Sequence, residues 1–126
     1  MPETPDPVRS LVVKLTCGGE APERANQGWT VAAMGVAAGA AVTVWLTGEA
    51  VWFAVPHRQP DLQLPYATPV ADLVESVRSA GTIVVCTQCA ARRELTQADL
   101  VGGATIAGAA TFVEAVLSEG VQALVY

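Results

Sequence analysis

Apolar residues along this chain fall into two alternating rhythms. Short β-branched runs, LVVKL at 11–15, VTVWL at 42–46, Ile83 to Val85 and Val121 to Val125, predict strands. Between them, apolar residues recur at three- and four-residue intervals: Ala25, Trp29, Ala32, Ala33 and Val36, then Val70, Leu73, Val74 and Val77, then Ile106, Ala109, Ala110, Val113 and Leu117. That spacing predicts three helices, each with one face on a sheet. Pro22 and Glu23 suit the first turn of the first helix, and Thr68-Pro69 opens the second as N-cap and first helical residue. Gly39, Gly81 and Gly120 are placed to close the three helices. Thr96 to Asp99 has the spacing of a capping box, with Asp in place of the usual Glu.

Strand followed by helix followed by strand is the signature of a parallel sheet with right-handed crossovers. The expected fold is a three-layer α/β domain of flavodoxin-like type, with a mainly parallel four- or five-stranded sheet and helices on both faces. If the strands take the common order 2-1-3-4, the chain reverses direction between strands one and three. Cys17 and Cys86 end those two strands, so both thiols are expected to face one crevice. The run EAVWFAV at 49–55 fits a short helix or an extended piece. Pro56, Pro60, Pro65 and Pro69 then break a loop whose length suits a lid or a subunit contact.

With 126 residues, the chain has room for one domain with a substantial core. Residues 1–8, rich in proline, read as a disordered tail, and 9–126 as the domain. A composition 52% hydrophobic and only 15% charged fits either a surface partly covered in a homo-oligomer or a small charged surface over a large core. The net charge is -5 and the basic residues are scattered apart from Arg92-Arg93, which argues against nucleic acid as a partner. Three cysteines do not make an even disulfide framework, and MPETPDPVRS lacks the charged and apolar regions of a secretion signal, so a reducing cytoplasm is the expected compartment. No charged residue lies between Arg24 and Glu49. The Ala- and Gly-rich composition of that stretch fits a buried helix followed by a buried strand, and no membrane span is expected.

The segment TIVVCTQCAARR, Thr82 to Arg93, concentrates the candidate chemistry. It carries Cys86 to the end of a strand, with Cys89 three residues on and Arg92-Arg93 beyond. The nucleophilic form of cysteine is the thiolate, which nearby cations stabilise; a cysteine ending a buried strand is otherwise a small inert hydrophobe. A Cys-x-x-Cys pair also suits thiol-disulfide exchange. Against that stands the absence of a clear helical stripe directly after the motif. A zinc site would have to combine Cys17, Cys86, Cys89 and His57, which form one paired hook and two isolated residues, so no metal is expected. His57, between Pro56 and Arg58, reads as an exposed loop residue. Gly18-Gly19 reads as a tight turn, since neither GxGxxG nor GxxxxGK[ST] is present.

The order of elements, the opening LVVKLTCGGEAPERANQGWTVAAMGVAAGAAVTVWLTGEAV and the run CTQCAARREL resemble the DsrE/DsrF family of sulfur-relay proteins. The resemblance covers nearly the whole chain after the tail. It implies that Cys86 is the active cysteine, carrying sulfane sulfur as a persulfide received from one protein and passed to another. It further implies a sulfurtransferase or carrier role with sulfur donor and acceptor proteins as partners, no tightly held cofactor, and assembly into trimers or hexamers. The family assigns no firm role to Cys89 and Cys17; the chemistry of the segment leads us to expect that Arg92 or Arg93 supplies positive charge and that Cys89 or Cys17 resolves or shields the persulfide. Family sequences often have Arg-Gly after the segment, where this chain has Arg93-Glu94. Two other classes compete: a non-catalytic oligomeric module binding a small anion or a protein partner, and a CxxC thiol-disulfide redox protein.

Overall fold

The computed structural model describes residues 7–126, so most of the Pro-rich stretch expected to be a tail lies outside the described residues. Five strands, β1 (Ser10–Leu15), β2 (Ala41–Leu46), β3 (Thr82–Cys86), β4 (Thr105–Ala107) and β5 (Val121–Val125), form one sheet. All neighbouring pairs are parallel and the order is β4-β3-β2-β1-β5. Among the described residues, the α-helices that accompany them are α1 (Pro22–Ala37), α2 (Val70–Ala80), α3 (Thr87–Arg92) and α4 (Ala109–Val116).

Alternation along the strands divides the core in two. Val13 and Leu15 of β1, Val42, Val44 and Leu46 of β2, and Ile83 and Val85 of β3 face α1 and α2. Trp29 of α1, fully buried, meets Phe53 edge-on with ring centroids 5.6 Å apart. Aromatic pairs of this kind add about 0.5–1.5 kcal/mol beyond the area they bury. The opposite face carries Val12, Trp45 and Val84, against which Phe112 and Val116 of α4 pack. The sheet thus has helices on both faces, the three-layer flavodoxin-like arrangement expected from the sequence.

Four expectations are corrected. The strand order is not 2-1-3-4: β2 lies between β1 and β3, and the chain reverses direction between β1 and β5. Right-handed crossovers explain the layers, since steps from β1 to β3 run one way with α1 and α2 on one face, and the return to β5 carries α4 across the other. Second, Ile106 belongs to the short strand β4 and not to a helix. Third, the predicted stripe of Val113 and Leu117 does not pack on the sheet; these side chains are 47% and 78% exposed, and the interleaved pair Phe112 and Val116 faces inward. Both pairs have four-residue spacing, so periodicity cannot choose between them. Fourth, a helix, α3, does begin directly after Cys86. The ambiguous run at 49–55 is a 3-10 helix over Gly48–Ala54.

Candidate functional site

The carboxyl ends of β1, β2 and β3 bring the chain's thiols to one end of the sheet, but not into one crevice. Cys17, two residues past β1, is buried among the residues that face α1 and α2. Burial pushes its thiol up, Glu20 adds to the effect, and Arg24 opposes it without cancelling it. Cys17 and Cys86 therefore do not flank a switch point as expected: β2 separates their strands, and Cys17 sits inside the core.

Cys86 is the last residue of β3, paired with Ala107 of β4, and the N-cap position of α3. It is half-buried. Its side chain makes no close capping hydrogen bond, yet the groups around it favour the thiolate. Burial pushes the thiol up; against this act the Cys89 amide, the Cys89 thiol, the Gln88 amide and the Lys14 ammonium. Together they win, leaving Cys86 below the ordinary thiol range. The direction is opposite to that of Cys17, and a lowered pKa raises the fraction of nucleophilic thiolate at neutral pH.

Cys89 lies in the first turn of α3 with its side chain buried, 8% exposed. The Gly48 N–H, at the end of β2, donates to its Sγ at 3.2 Å. Glycine is required at 48 by two features: its φ is +54°, and an added Cβ would stand 3.0 Å from the Thr16 carbonyl oxygen. Thr47-Gly48, which follows β2 directly, thus brings a main-chain donor to the second cysteine of the motif.

The two arginines separate. Arg92 is exposed. Arg93 turns away to Glu49, with its Nε donating to Oε2 at 3.0 Å and its Nη2 at 2.9 Å, while its Nη1 donates to the Cys89 carbonyl at 3.1 Å. Trp52 Nε1 donates to the same carboxylate oxygen at 3.1 Å, and Arg58 stacks over the Trp52 ring, 3.9 Å from its centroid. This network ties α3 to the 3-10 helix. A cavity of 490 Å³ beside Arg93 is lined in part by His57, Arg58 and Leu100, but not by Cys86.

The cation that acts on Cys86 is Lys14, which the sequence did not single out. In register, Lys14 neighbours Trp45 and Trp45 neighbours Val84, two residues before Cys86, so the lysine stands on the sheet face covered by α4 while Cys86, at the strand end, packs against the residues of the other face. The Lys14 Nζ stands 5.0 Å from the centroid of the Phe112 ring, a cation–π contact that holds it on that face. A lysine interrupting the apolar run LVVKL was the available signal. Reading it as part of the site requires knowing which strands lie side by side.

Among the described residues, no three His, Cys, Asp or Glu side chains gather in a way that could hold a metal ion. No helix among them is long and apolar enough to cross a membrane; the uncharged stretch between Arg24 and Glu49 is divided between α1 and β2.

The fold and site define a parallel three-layer α/β protein with a two-cysteine segment, Cys86 to Cys89, at the carboxyl end of β3. The DsrE/DsrF-like family model matches residues 10–125, and the chain belongs to that family. The structure is similar to the crystal structure of the ychN protein from E. coli, with a TM-score of 0.77 at 14% identity over 94% of this chain and 100% of that one. It is also similar to MTH1491, a protein of unknown function from Methanobacterium thermoautotrophicum, with a TM-score of 0.61 at 11% identity over 95% and 100% of the two chains. At these identities the likeness concerns the fold. No curated protein matches the chain.

Proposed function

We propose that this protein is a sulfur carrier, taking sulfane sulfur onto Cys86 as a persulfide and passing it to an acceptor protein. One observation carries the proposal: of the three free thiols, Cys86 is the one that is part-exposed and whose surroundings favour the thiolate. Family membership supports it.

The chemistry is two thiolate attacks on sulfur. The Cys86 thiolate attacks the terminal sulfur of a donor persulfide; the sulfur–sulfur bond of the donor breaks, and the donor leaves as a thiolate. An acceptor thiolate then attacks the outer sulfur held on Cys86 and regenerates the Cys86 thiolate. Neither step needs a cofactor. Lys14 and the amides of Gln88 and Cys89 stabilise negative charge at the Cys86 sulfur when it attacks and again when it leaves. Arg93 keeps α3 in place through Glu49. The assignment of Cys17 to the reaction is not retained, because its thiol is buried and its ionisation is disfavoured.

Assembly with further copies, as trimers or hexamers, is part of the same proposal. It is supported by the apolar edge that β5 and α4 present: Val113, Leu117, Leu124 and Val125 are all exposed in the single chain. The compartment we propose is the cytoplasm, whose reducing poise keeps all three thiols free. Turnover of a sulfane donor tests the carrier role. Donor consumption with an added thiol acceptor is expected from the wild type and is lost in Cys86→Ser; equal consumption by both proteins would refute it.

A further inference from the structure

We propose that Cys89 is an internal resolving thiol, which discharges a persulfide on Cys86 as hydrosulfide by forming a Cys86–Cys89 disulfide. The inference rests on the sulfur-carrier reading and adds a second fate for the bound sulfur. Three placements carry it. Cys86 is the N-cap of α3 and Cys89 stands in the first turn, so three-residue helical spacing sets their Cα atoms roughly 5–6 Å apart, within the range a disulfide spans. Both thiols are free. The Gly48 N–H donates to the Cys89 Sγ from the side of β2, 3.2 Å away, and fixes the position of this second sulfur.

Burial gives the pair its direction. Cys89 is nearly enclosed and Cys86 is not, so an external donor or acceptor meets Cys86 first, while Cys89 can react only with its neighbour. The sulfur that Cys89 adjoins is Cys86 Sγ, the inner atom of a persulfide. The Cys89 thiolate attacks Cys86 Sγ, a sulfur–sulfur bond forms between the two cysteines, and the bond to the outer sulfur breaks. The outer sulfur leaves with its proton as hydrosulfide. Sulfane sulfur is reduced to sulfide and the two cysteines are oxidised, so the electrons balance. An external dithiol then reduces the disulfide and restores both thiols. Transfer to an acceptor therefore competes with internal discharge, and a loaded protein without an acceptor does not hold its sulfur indefinitely.

Loading the full chain with inorganic polysulfide, removing the excess and following released hydrosulfide tests this, together with mass mapping of the tryptic peptide Ser79 to Arg92, which contains both cysteines. In the wild type, hydrosulfide release is expected to accompany the mass loss of an internal disulfide in that peptide. In Cys89→Ser, and in Cys89→Ala as a second variant, the Cys86 persulfide should persist about tenfold longer or more, as loss of an intramolecular nucleophile predicts. A wild-type persulfide that lasts as long as that of the variants, with no internal disulfide, overturns the inference and leaves the carrier reading standing. Failure of Cys86 to take up sulfur in any of the proteins overturns both.

Discussion

Arg93 is bound to Glu49: two of its nitrogens lie 2.9 and 3.0 Å from Oε2, and the third faces the Cys89 carbonyl. The arginine beside the cysteine motif is therefore a brace between α3 and the 3-10 helix at Gly48–Ala54. The charge that reaches Cys86 comes from Lys14, two strands away.

Replacing Lys14 and Arg93 should separate these roles. Lys14→Gln is expected to raise the pKa of Cys86 and slow its alkylation at neutral pH by roughly two- to fivefold, since a part-exposed charge acts through high dielectric. Arg93→Gln should leave the midpoint of the alkylation profile closer to the wild type while lowering thermal stability. If Arg93→Gln shifts the midpoint more than Lys14→Gln does, the assignment of charge is reversed.

The three thiols should label in a fixed order. A lowered pKa means that the thiolate of Cys86 is present at lower pH than for an ordinary cysteine, near 8.5, so its iodoacetamide reaction should reach half its maximal rate below that value. Cys17, buried and with its pKa raised, should label slowly in the native protein and freely only in denaturant. Mass mapping after a short exposure at neutral pH distinguishes them. Faster labelling of Cys17 would contradict the geometry.

Two adjacent glycines should respond differently to alanine. A Cβ on Gly18 would come 2.7 Å from the Glu49 carbonyl oxygen, a main-chain atom that cannot easily yield, whereas one on Gly19 would meet nothing closer than 3.7 Å. Gly18→Ala should cost about 1–3 kcal/mol in chemical denaturation, as overpacking commonly does, and Gly19→Ala much less. Equal losses would mean that Gly18 does not fix the approach of the 3-10 helix.

These contrasts mark what could be read in the chain alone. The β-branched runs located β1, β2, β3 and β5, and the stripes at Ala25–Val36 and Val70–Val77 located α1 and α2 with their buried faces, because those patterns are local. Cys86 at a strand end was visible for the same reason. The six-residue α3 and three-residue β4 are too short to show a period, and Ile106 of β4 falls by spacing into the stripe of the helix that follows it. Strand order depends on pairing across distant segments, so sequence alone points to Cys17 as the neighbour of Cys86 across the sheet, where the structure has Lys14 acting on it.

The exposed apolar edge should determine assembly. Among the described residues β5 is an edge strand of the sheet, and such edges are normally covered or charged. Light scattering should show the wild type as an oligomer and the double variant Leu117→Asp, Val125→Asp as a monomer of unchanged helical content. A wild type that is monomeric at high micromolar concentration would remove the assembly proposal.

The central claim is that Cys86 is where sulfur is held. Brief treatment with a sulfane donor, trapping by alkylation and peptide mass mapping test it most directly. The account predicts a gain of one sulfur atom on the peptide from Ser79 to Arg92, assigned by fragmentation to Cys86, and its disappearance in Cys86→Ser. A gain of one sulfur that survives Cys86→Ser, or that falls on Cys17, would contradict it.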